Sequence, residues 1–286
     1  MNARKGLLCV FAASLLFSTG GLLVKLIPWQ SLSINSFRSI ISVVILFIFG
    51  KVTRQKVKFT PGTIAGACIV ACSTTLYTAA TKLTTAANAI LLQFTSPIWV
   101  ILFMWLIFKE KPKKLDIGTS LIVFCGIGCF FLDGLGSGDM VGNCLAVLAG
   151  VCYGWIFMLN KIPGGDPLSS TLLGHGLAAI VGLPSLVQET QFDQQTLVAA
   201  VLLGVFQLGI AYVFLTVGVK YAPPVSASLV TGIEPILNPV LVALVVGETI
   251  TGLSLVGGVI VFVSIMVYNI VGAQMDKKKA QAEAGA

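Results

Sequence analysis

The chain alternates between long apolar stretches and short polar connections, and this pattern is the first guide to its structure. Each apolar stretch is close to the roughly 20 residues that a helix needs to cross a bilayer. Strands are excluded, because barrel segments are about ten residues long and alternate in hydrophobicity. The pattern predicts an all-α integral membrane protein with ten transmembrane helices. The ten stretches are 6–27, 33–50, 62–82, 85–108, 117–133, 140–159, 169–187, 196–219, 225–246 and 251–271.

Composition supports this interpretation. Of the 286 residues, 56% are hydrophobic and only 10% are charged, and the mean hydropathy is +0.97. A soluble domain of this size carries about 25% charged residues. The connections between the apolar stretches are too short to form a soluble domain, so the lipid bilayer is the expected environment of most of the chain.

The positive charges predict the orientation. If the N-terminus is cytoplasmic, every Lys and Arg except Lys25, Arg38 and Lys82 falls in a segment on the inside. Such asymmetry follows the positive-inside rule, and an even number of spans places both termini on one side. We therefore expect a multi-pass protein of the cytoplasmic (inner) membrane with cytoplasmic N- and C-termini. The net charge of +7 is then a topology signal, and no nucleic acid is expected as a partner.

Motifs of enzymes and of metal sites are not found in the sequence. The seven cysteines lie within predicted spans and form no CxxC pair, and the single histidine, His175, has no ligand pattern beside it. There is no Walker A loop and no GxSxG elbow. We therefore predict that the protein is not an enzyme and uses no metal or cofactor. No oligomeric state is indicated.

Two segments in different halves of the chain are similar to each other. Residues 91–110 superpose on residues 229–248 without a gap, at a shift of 138 positions. Spans one and six match at a shift of 136. Proline and glutamate matches are informative here, because apolar matches are expected in this composition. The informative pairs are Pro97/Pro235 and Glu110/Glu248, with the aromatic pair Phe17/Tyr153 between spans one and six.

The repeat predicts the organisation of the chain. Residues 1–138 form a first five-helix repeat, 139–276 a second one, and 277–286 a basic cytoplasmic tail. An odd number of spans in each half places the two repeats in opposite orientations. Inverted-topology repeats are typical of secondary transporters, whose substrate site lies near the bilayer midplane between the halves.

The repeated motifs also resemble a known family. The ten spans, the Phe37-Arg38 pair early in span two, and the Glu234-Pro235 to Gly247-Glu248 segment of span nine resemble the EamA-type drug/metabolite transporter superfamily. The first half departs from that family's "EP…GE" pattern, because Ser96 and Lys109 replace the first Glu and the Gly. The resemblance implies a transporter in which only the second half keeps the intramembrane carboxylate.

Glu234 is the main candidate for a functional residue. It shares one helix face with Thr231 and Asn238, close to the midplane of span nine. An acidic side chain at a helix centre costs about 2.5–3.5 kcal/mol on translocon scales, so we expect Glu234 to face a cavity or a cation. It would bind a cationic group of the substrate or exchange a coupling proton. The alternative is a fixed ion pair with Lys25 or Arg38.

Other polar and aromatic residues within the spans are candidates for the substrate or proton path. Each has a structural alternative: the amides could hydrogen-bond each other, the cations could extend to the outer interface, and the histidine and aromatic residues could serve packing. These candidates are Asn238, Gln93, Gln207, Tyr77, Tyr212, Trp155, Lys25, Arg38 and His175.

The expected function is a secondary transporter of small organic metabolites such as amino acids or related amines. Alternating access would move the two halves around a site formed by spans three, four, eight and nine, and the resemblance implies export. One alternative is a proton-coupled exporter of drugs or organic cations, with protons as the coupling ion. An alternative of a different class is a membrane interaction protein that transports nothing.

Overall fold

The computed structural model describes residues 2–111, 114–137, 140–247 and 252–284, and every regular element within these ranges is helical. The helices are α1 (Ala3–Phe17), α2 (Gly20–Leu26), α3 (Ser31–Val52), α4 (Pro61–Leu83), α5 (Ala86–Gln93), α6 (Ser96–Leu106), α7 (Lys114–Ser137), α8 (Met140–Ile156), α9 (Pro167–Leu186), α10 (Gln194–Leu202), a π-helix (Leu203–Ile210), α11 (Ala211–Tyr221), α12 (Pro224–Val230), a 3₁₀ turn (Thr231–Ile233), α13 (Glu234–Val246) and α14 (Gly252–Ala284). The predicted all-α class is confirmed for these ranges. Glu248 and the predicted repeat boundary at 138–139 lie outside them.

Side-chain caps fix the beginnings of several helices. Thr60 and Thr63 form a reciprocal capping box at the start of α4, and the carboxylate of Asp166 accepts the backbone N–H of Ser169 at the start of α9. Each cap precedes a proline at the first helical position, where the missing N–H costs nothing. These polar residues lie at the ends of the polar connections, directly before the apolar stretches that form the helices.

Within the described ranges, seven helical segments are long and apolar enough to cross a membrane. Three further apolar helices are shorter, within α7, α8 and α14. Each of the ten predicted stretches coincides with a helix or an interrupted helix, which supports the multi-pass architecture. The count of ten membrane crossings and their orientation remain predictions. The segment predicted as a tail continues α14 in helical conformation as far as Ala284.

Helices of the first half pack mainly against helices of the second half. The principal pairs are α3 with α9, α4 with α8 and α9, α1 with α11, α3 with the π-helix, and α7 with α14. These contacts can be compared by replacing each span with the equivalent span of the other half. The α4–α8 contact then becomes the α1–α11 contact, and the α4–α9 contact becomes the contact between α3 and the π-helix. The pairs α3–α9 and α7–α14 map onto themselves. The packing therefore has the pseudo-twofold pattern expected of two repeats.

The repeat register also holds at the level of single residues. Ser96 begins α6 and Glu234 begins α13, and these positions superpose at the shift of 138. After the same helices, Lys109 and Gly247 are both left-handed, with φ of 59° and 75°. Glycine adopts this conformation without strain, whereas lysine does so at a cost of about 1–2 kcal/mol. Lys109 thus differs from the family pattern in residue type, but its backbone turn is the same as that of Gly247.

Several predicted spans are interrupted near their middles. Span one stops at Phe17 and resumes at Gly20, span four breaks between Gln93 and Ser96, and span nine passes through the 3₁₀ turn beginning at Thr231. Span eight stays helical but widens into the π-helix. Non-α backbone at membrane depth is tolerated where it lines a cavity or is buried in protein.

Glycines flanking His175 provide a test of the α4–α9 contact. A methyl group at Gly174 would lie 2.7 Å from both the Ala67 carbonyl oxygen and Val70 Cβ, while one at Gly176 meets no atom within 4 Å. We expect Gly174→Ala to destabilise the protein by about 1–3 kcal/mol, because the helices must separate. Gly176→Ala is the matched control and should be neutral or stabilising by up to about 1 kcal/mol. Thermal unfolding in detergent measures both, and equal stability of the two variants would contradict this packing.

Candidate functional site

The interrupted helices converge on a cavity in the centre of the bundle. Its volume is about 30 Å³, enough for about two water molecules. The predicted spans three, four, eight and nine contribute to the lining, and spans one, two and six complete it. The lining residues are Phe17, Arg38, Ser73, Thr74, Tyr77, Ile90, Gln93, Tyr153, Gln207, Leu208, Tyr212 and Glu234.

Glu234 lies in this cavity at the first turn of α13, with only 3% of its surface exposed. Its Oε1 accepts a hydrogen bond from the Tyr153 hydroxyl at 3.2 Å. The positive end of the α13 dipole also favours a carboxylate at this position. Among the described residues, no Lys or Arg lies within ion-pairing distance of Glu234. The alternative of a fixed Glu234–Arg38 ion pair is therefore not what the structure shows.

Arg38 is the cationic group of the cavity, and 1% of it is exposed. Its Nη2 donates to Asn35 Oδ1 at 2.9 Å, the Thr74 carbonyl at 3.0 Å and Thr78 Oγ1 at 2.6 Å, and Nε donates to Asn35 at 3.1 Å. Nη1 donates to Gln207 Oε1 at 3.3 Å. All these acceptors are neutral, so none of the described hydrogen bonds pairs the guanidinium with an anion. Arg38 does not extend to the outer interface.

Three aromatic rings of the cavity lining, those of Phe17, Tyr153 and Tyr212, pack together as an aromatic wall. The Phe17 ring packs edge-on against Tyr212 at 5.2 Å and against Tyr153 at 6.4 Å between centroids. Phe17 and Tyr153 are the aromatic pair that the repeat alignment superposes, and both line the cavity. An aromatic wall beside a carboxylate suits a cationic group, because ring faces carry negative potential.

The interruption in span one permits close approach of two polar side chains. A methyl at Gly20 would lie 2.9 Å from Gln207 Nε2, and one at Gly21 would overlap the Asn238 amide. Asn238 Nδ2 donates to the Tyr77 hydroxyl at 3.4 Å, and its Oδ1 has no hydrogen-bond partner among the described residues. Because Gly20 and Gly21 have no side chains, two amides of the second half can approach the first half closely at the edge of the cavity.

His175 lies behind the cavity wall rather than in it. Its Nδ1 is 2.5 Å from Ser42 Oγ, and its ring packs edge-on against Tyr212 at 4.5 Å. Its Nε2 has no partner in the part of the chain that the structure describes. This arrangement supports Tyr212 in its cavity-facing position.

Two further predicted candidates, in addition to His175, are placed away from the cavity. Lys25 Nζ donates to the Thr84 carbonyl at 3.0 Å at one end of the bundle. Trp155 stacks on Phe103 at 4.7 Å and is not among the lining residues. Gln93 lines the cavity. Gln207 accepts a hydrogen bond from Arg38, and among the described residues it does not pair with another amide side chain as the structural alternative had suggested.

The prediction did not include several lining residues, of which Tyr153 is the most consequential because it contacts Glu234. The signal for Tyr153 was the superposition of Phe17 on it in the repeat. Ser73 and Thr74 carried no such signal, because small hydroxyl residues are common in helix contacts.

Comparisons with known proteins agree with this architecture. The chain is 28% identical over 228 residues to an uncharacterized transporter of Clostridium kluyveri, covering 75% of this chain and 72% of the relative. It is 25% identical over 194 residues to an uncharacterized transporter of Archaeoglobus fulgidus, covering 67% and 70%. A solved crystal structure superposes with a TM-score of 0.71 at 17% identity, covering 94% of this chain and 99% of that one, which supports the fold. The EamA-like transporter family matches residues 4–132 and again 140–270, so the chain belongs to this family and carries its repeat twice.

Proposed function

We propose that this transporter exports amino acids or related small amines across the cytoplasmic membrane, with the substrate bound in the central cavity. The observation that carries the proposal is Glu234, a buried carboxylate that contacts Tyr153 and has no cationic partner among the described residues. Burying an unpaired carboxylate is costly, so a ligand that brings a positive charge is the expected partner. A primary ammonium group supplies that charge and three donors.

Arg38 favours an amino acid over a simple amine. The guanidinium has two N–H groups on Nη1, and the described contacts of this nitrogen consist of one bond to Gln207. At least one donor therefore remains for a ligand at the cavity wall. A substrate carboxylate on Arg38 and its ammonium on Glu234 would neutralise both charges at once.

The size of the cavity supports alternating access. A volume of about 30 Å³ is far below the roughly 300 Å³ at which small-molecule sites begin. A cavity of this size cannot hold an amino acid, so substrate binding requires the halves to move apart. Broken helices at the cavity are typical of transporters that work in this way.

The second candidate is proton-coupled export of organic cations. The same Glu234 would then exchange a proton for the cation, and the wall of Phe17, Tyr153 and Tyr212 would hold the apolar part of the substrate. The two candidates differ in the need for a substrate carboxylate and in the response to a pH gradient.

Counterflow in proteoliposomes tests the proposal. Vesicles loaded with an unlabelled amino acid should accumulate its labelled form, and the corresponding decarboxylated amine should compete weakly. Preference for the amine, with flux that follows an imposed pH gradient, would favour the organic-cation exporter. No accumulation of any amino acid, amine or organic cation, with or without the gradient, would contradict a carrier and favour an interaction protein. Efflux from preloaded cells tests the direction.

A further inference from the structure

A second concave site lies at the end of α3, far along that helix from Arg38. It is a groove of about 360 Å³ between the last turns of α3, the connection that follows, and the first turns of α9. We call it the basic groove. Its floor is apolar, and three basic side chains form its rim. The residues used below are Phe47, Lys51, Arg54, Lys56, Leu168 and Leu172.

The charge of the groove is of one sign. Lys51, Arg54 and Lys56 are all exposed, and none of the described residues lining the groove is acidic. The carboxylate of Asp166 caps α9, lies 3.9 Å from Lys58 Nζ and lines a neighbouring hollow. An anion in the groove therefore meets three cations and no acidic residue of the described lining.

The backbone conformation of Arg54 is strained. Arg54 has a φ of 54°, in the left-handed region that glycine usually occupies after a helix. The turn is closed by the Gln55 N–H, which donates to the Gly50 carbonyl at 2.9 Å. An arginine here costs about 1–2 kcal/mol relative to an unstrained conformation. The turn would also accept glycine, so Arg54→Gly removes the side chain without opposing the backbone conformation.

The groove combines this charge with apolar surface at one level of the bilayer. Helix α3 is long and apolar enough to cross the membrane, so its last turn lies where lipid headgroups begin. Phe47 is 50% exposed on the lipid-facing side, while Leu168 and Leu172 form the buried floor. A ligand for this site must carry an anionic group and an apolar chain.

We propose that the basic groove binds one acidic phospholipid. Its phosphate lies between Arg54, Lys51 and Lys56, and its acyl chain runs from the floor along Phe47. Basic pockets between transmembrane helices bind anionic headgroups by this charge complementarity. This site is independent of the cavity and of the transported substrate.

The test uses the full-length protein in detergent, with native mass spectrometry and thermal unfolding as readouts. It is titrated with short-chain phosphatidylglycerol, with phosphatidylcholine of equal chain length, and with inorganic phosphate. We expect phosphatidylglycerol adducts and a raised melting temperature, with little effect of the other two. Arg54→Gly and Lys51→Gln should each weaken phosphatidylglycerol binding about fivefold.

The matched control is Lys109→Gly, which removes one positive charge from the other left-handed basic residue in the described ranges. Both glycine variants remove a positive charge at a left-handed position, so a loss of binding confined to Arg54→Gly, with an unchanged melting temperature of the lipid-free protein, is assigned to the Arg54 side chain. Equal adducts with phosphatidylcholine, unchanged binding in Arg54→Gly, or an equal melting shift from inorganic phosphate would each overturn the proposal.

Discussion

Replacing Glu234 with Gln is expected to reduce substrate counterflow about thirtyfold or more while leaving the fold intact. The reason is that the variant keeps the shape of the side chain and an oxygen for the Tyr153 hydroxyl, but removes the charge. Losing one partner of a buried charge pair costs about 2–5 kcal/mol, and each 1.4 kcal/mol is tenfold. Counterflow in proteoliposomes measures the change, and thermal unfolding in detergent verifies folding.

The chain offers a matched control for this change. Glu110 is an exposed carboxylate outside the cavity, paired with Lys161 at 2.8 Å. Surface ion pairs contribute little, so Glu110→Gln should transport at the wild-type rate. The same chemical change is thus made inside and outside the proposed site.

The outcome for Glu234→Gln also separates the candidate functions. Loss of counterflow places the carboxylate in substrate binding. Retained counterflow with loss of flux driven by a pH gradient would assign Glu234 to proton exchange alone. Wild-type behaviour in both measurements would contradict any transport role for this residue.

Replacing Arg38 with Lys is expected to reduce amino-acid counterflow at least about tenfold and to affect the decarboxylated amine much less. The planar guanidinium of arginine binds several acceptors and still directs an N–H at the cavity. Lysine keeps the positive charge but lacks this planar group. A substrate carboxylate then loses a charge-assisted hydrogen bond, worth about 1.5–3 kcal/mol. Competition by paired amino acids and amines measures the change in selectivity.

Stability has to be separated from selectivity in this experiment. Arg38→Met leaves Asn35 Oδ1 and the Thr78 hydroxyl without their donor, so we expect it to be destabilised by several kcal/mol. Arg38→Lys should fold, and Arg4→Lys is the control for the same exchange at an exposed position. Parallel loss of amino-acid and amine flux in a folded Arg38→Lys protein would contradict the assignment of the substrate carboxylate to Arg38. The Glu234 proposal would be unaffected.

Some cavity residues were recognisable in the sequence because they contrast with their surroundings. Arg38, Glu234 and Gln207 are polar groups inside apolar stretches, where each is expensive unless it has a partner. Tyr153 did not stand out in this way, because aromatic side chains are common in membrane helices. Trp155, two residues later, was predicted instead and stacks on Phe103 outside the cavity.

The interruptions of the helices were recognisable only in part. Pro97 and Pro235 are the second residues of α6 and α13, directly after the breaks in spans four and nine, and proline there removes a backbone donor. The break after Phe17 and the π-helix containing Gln207 have no proline within them. They depend on contacts across the bundle, such as Gly20 against Gln207, that hydrophobicity does not encode.

The sequence by itself determined the helical class, the apolar spans, the repeat and the family, because each depends on how a local stretch of chain interacts with lipid or matches another stretch. Only the tertiary structure decided which polar groups meet. Arg38 bonds Gln207, 169 residues away, and Glu234 bonds Tyr153, 81 residues away. The first pair joins helices of opposite halves and the second joins two helices of the second half, and the energies of both depend on distances that no local pattern carries.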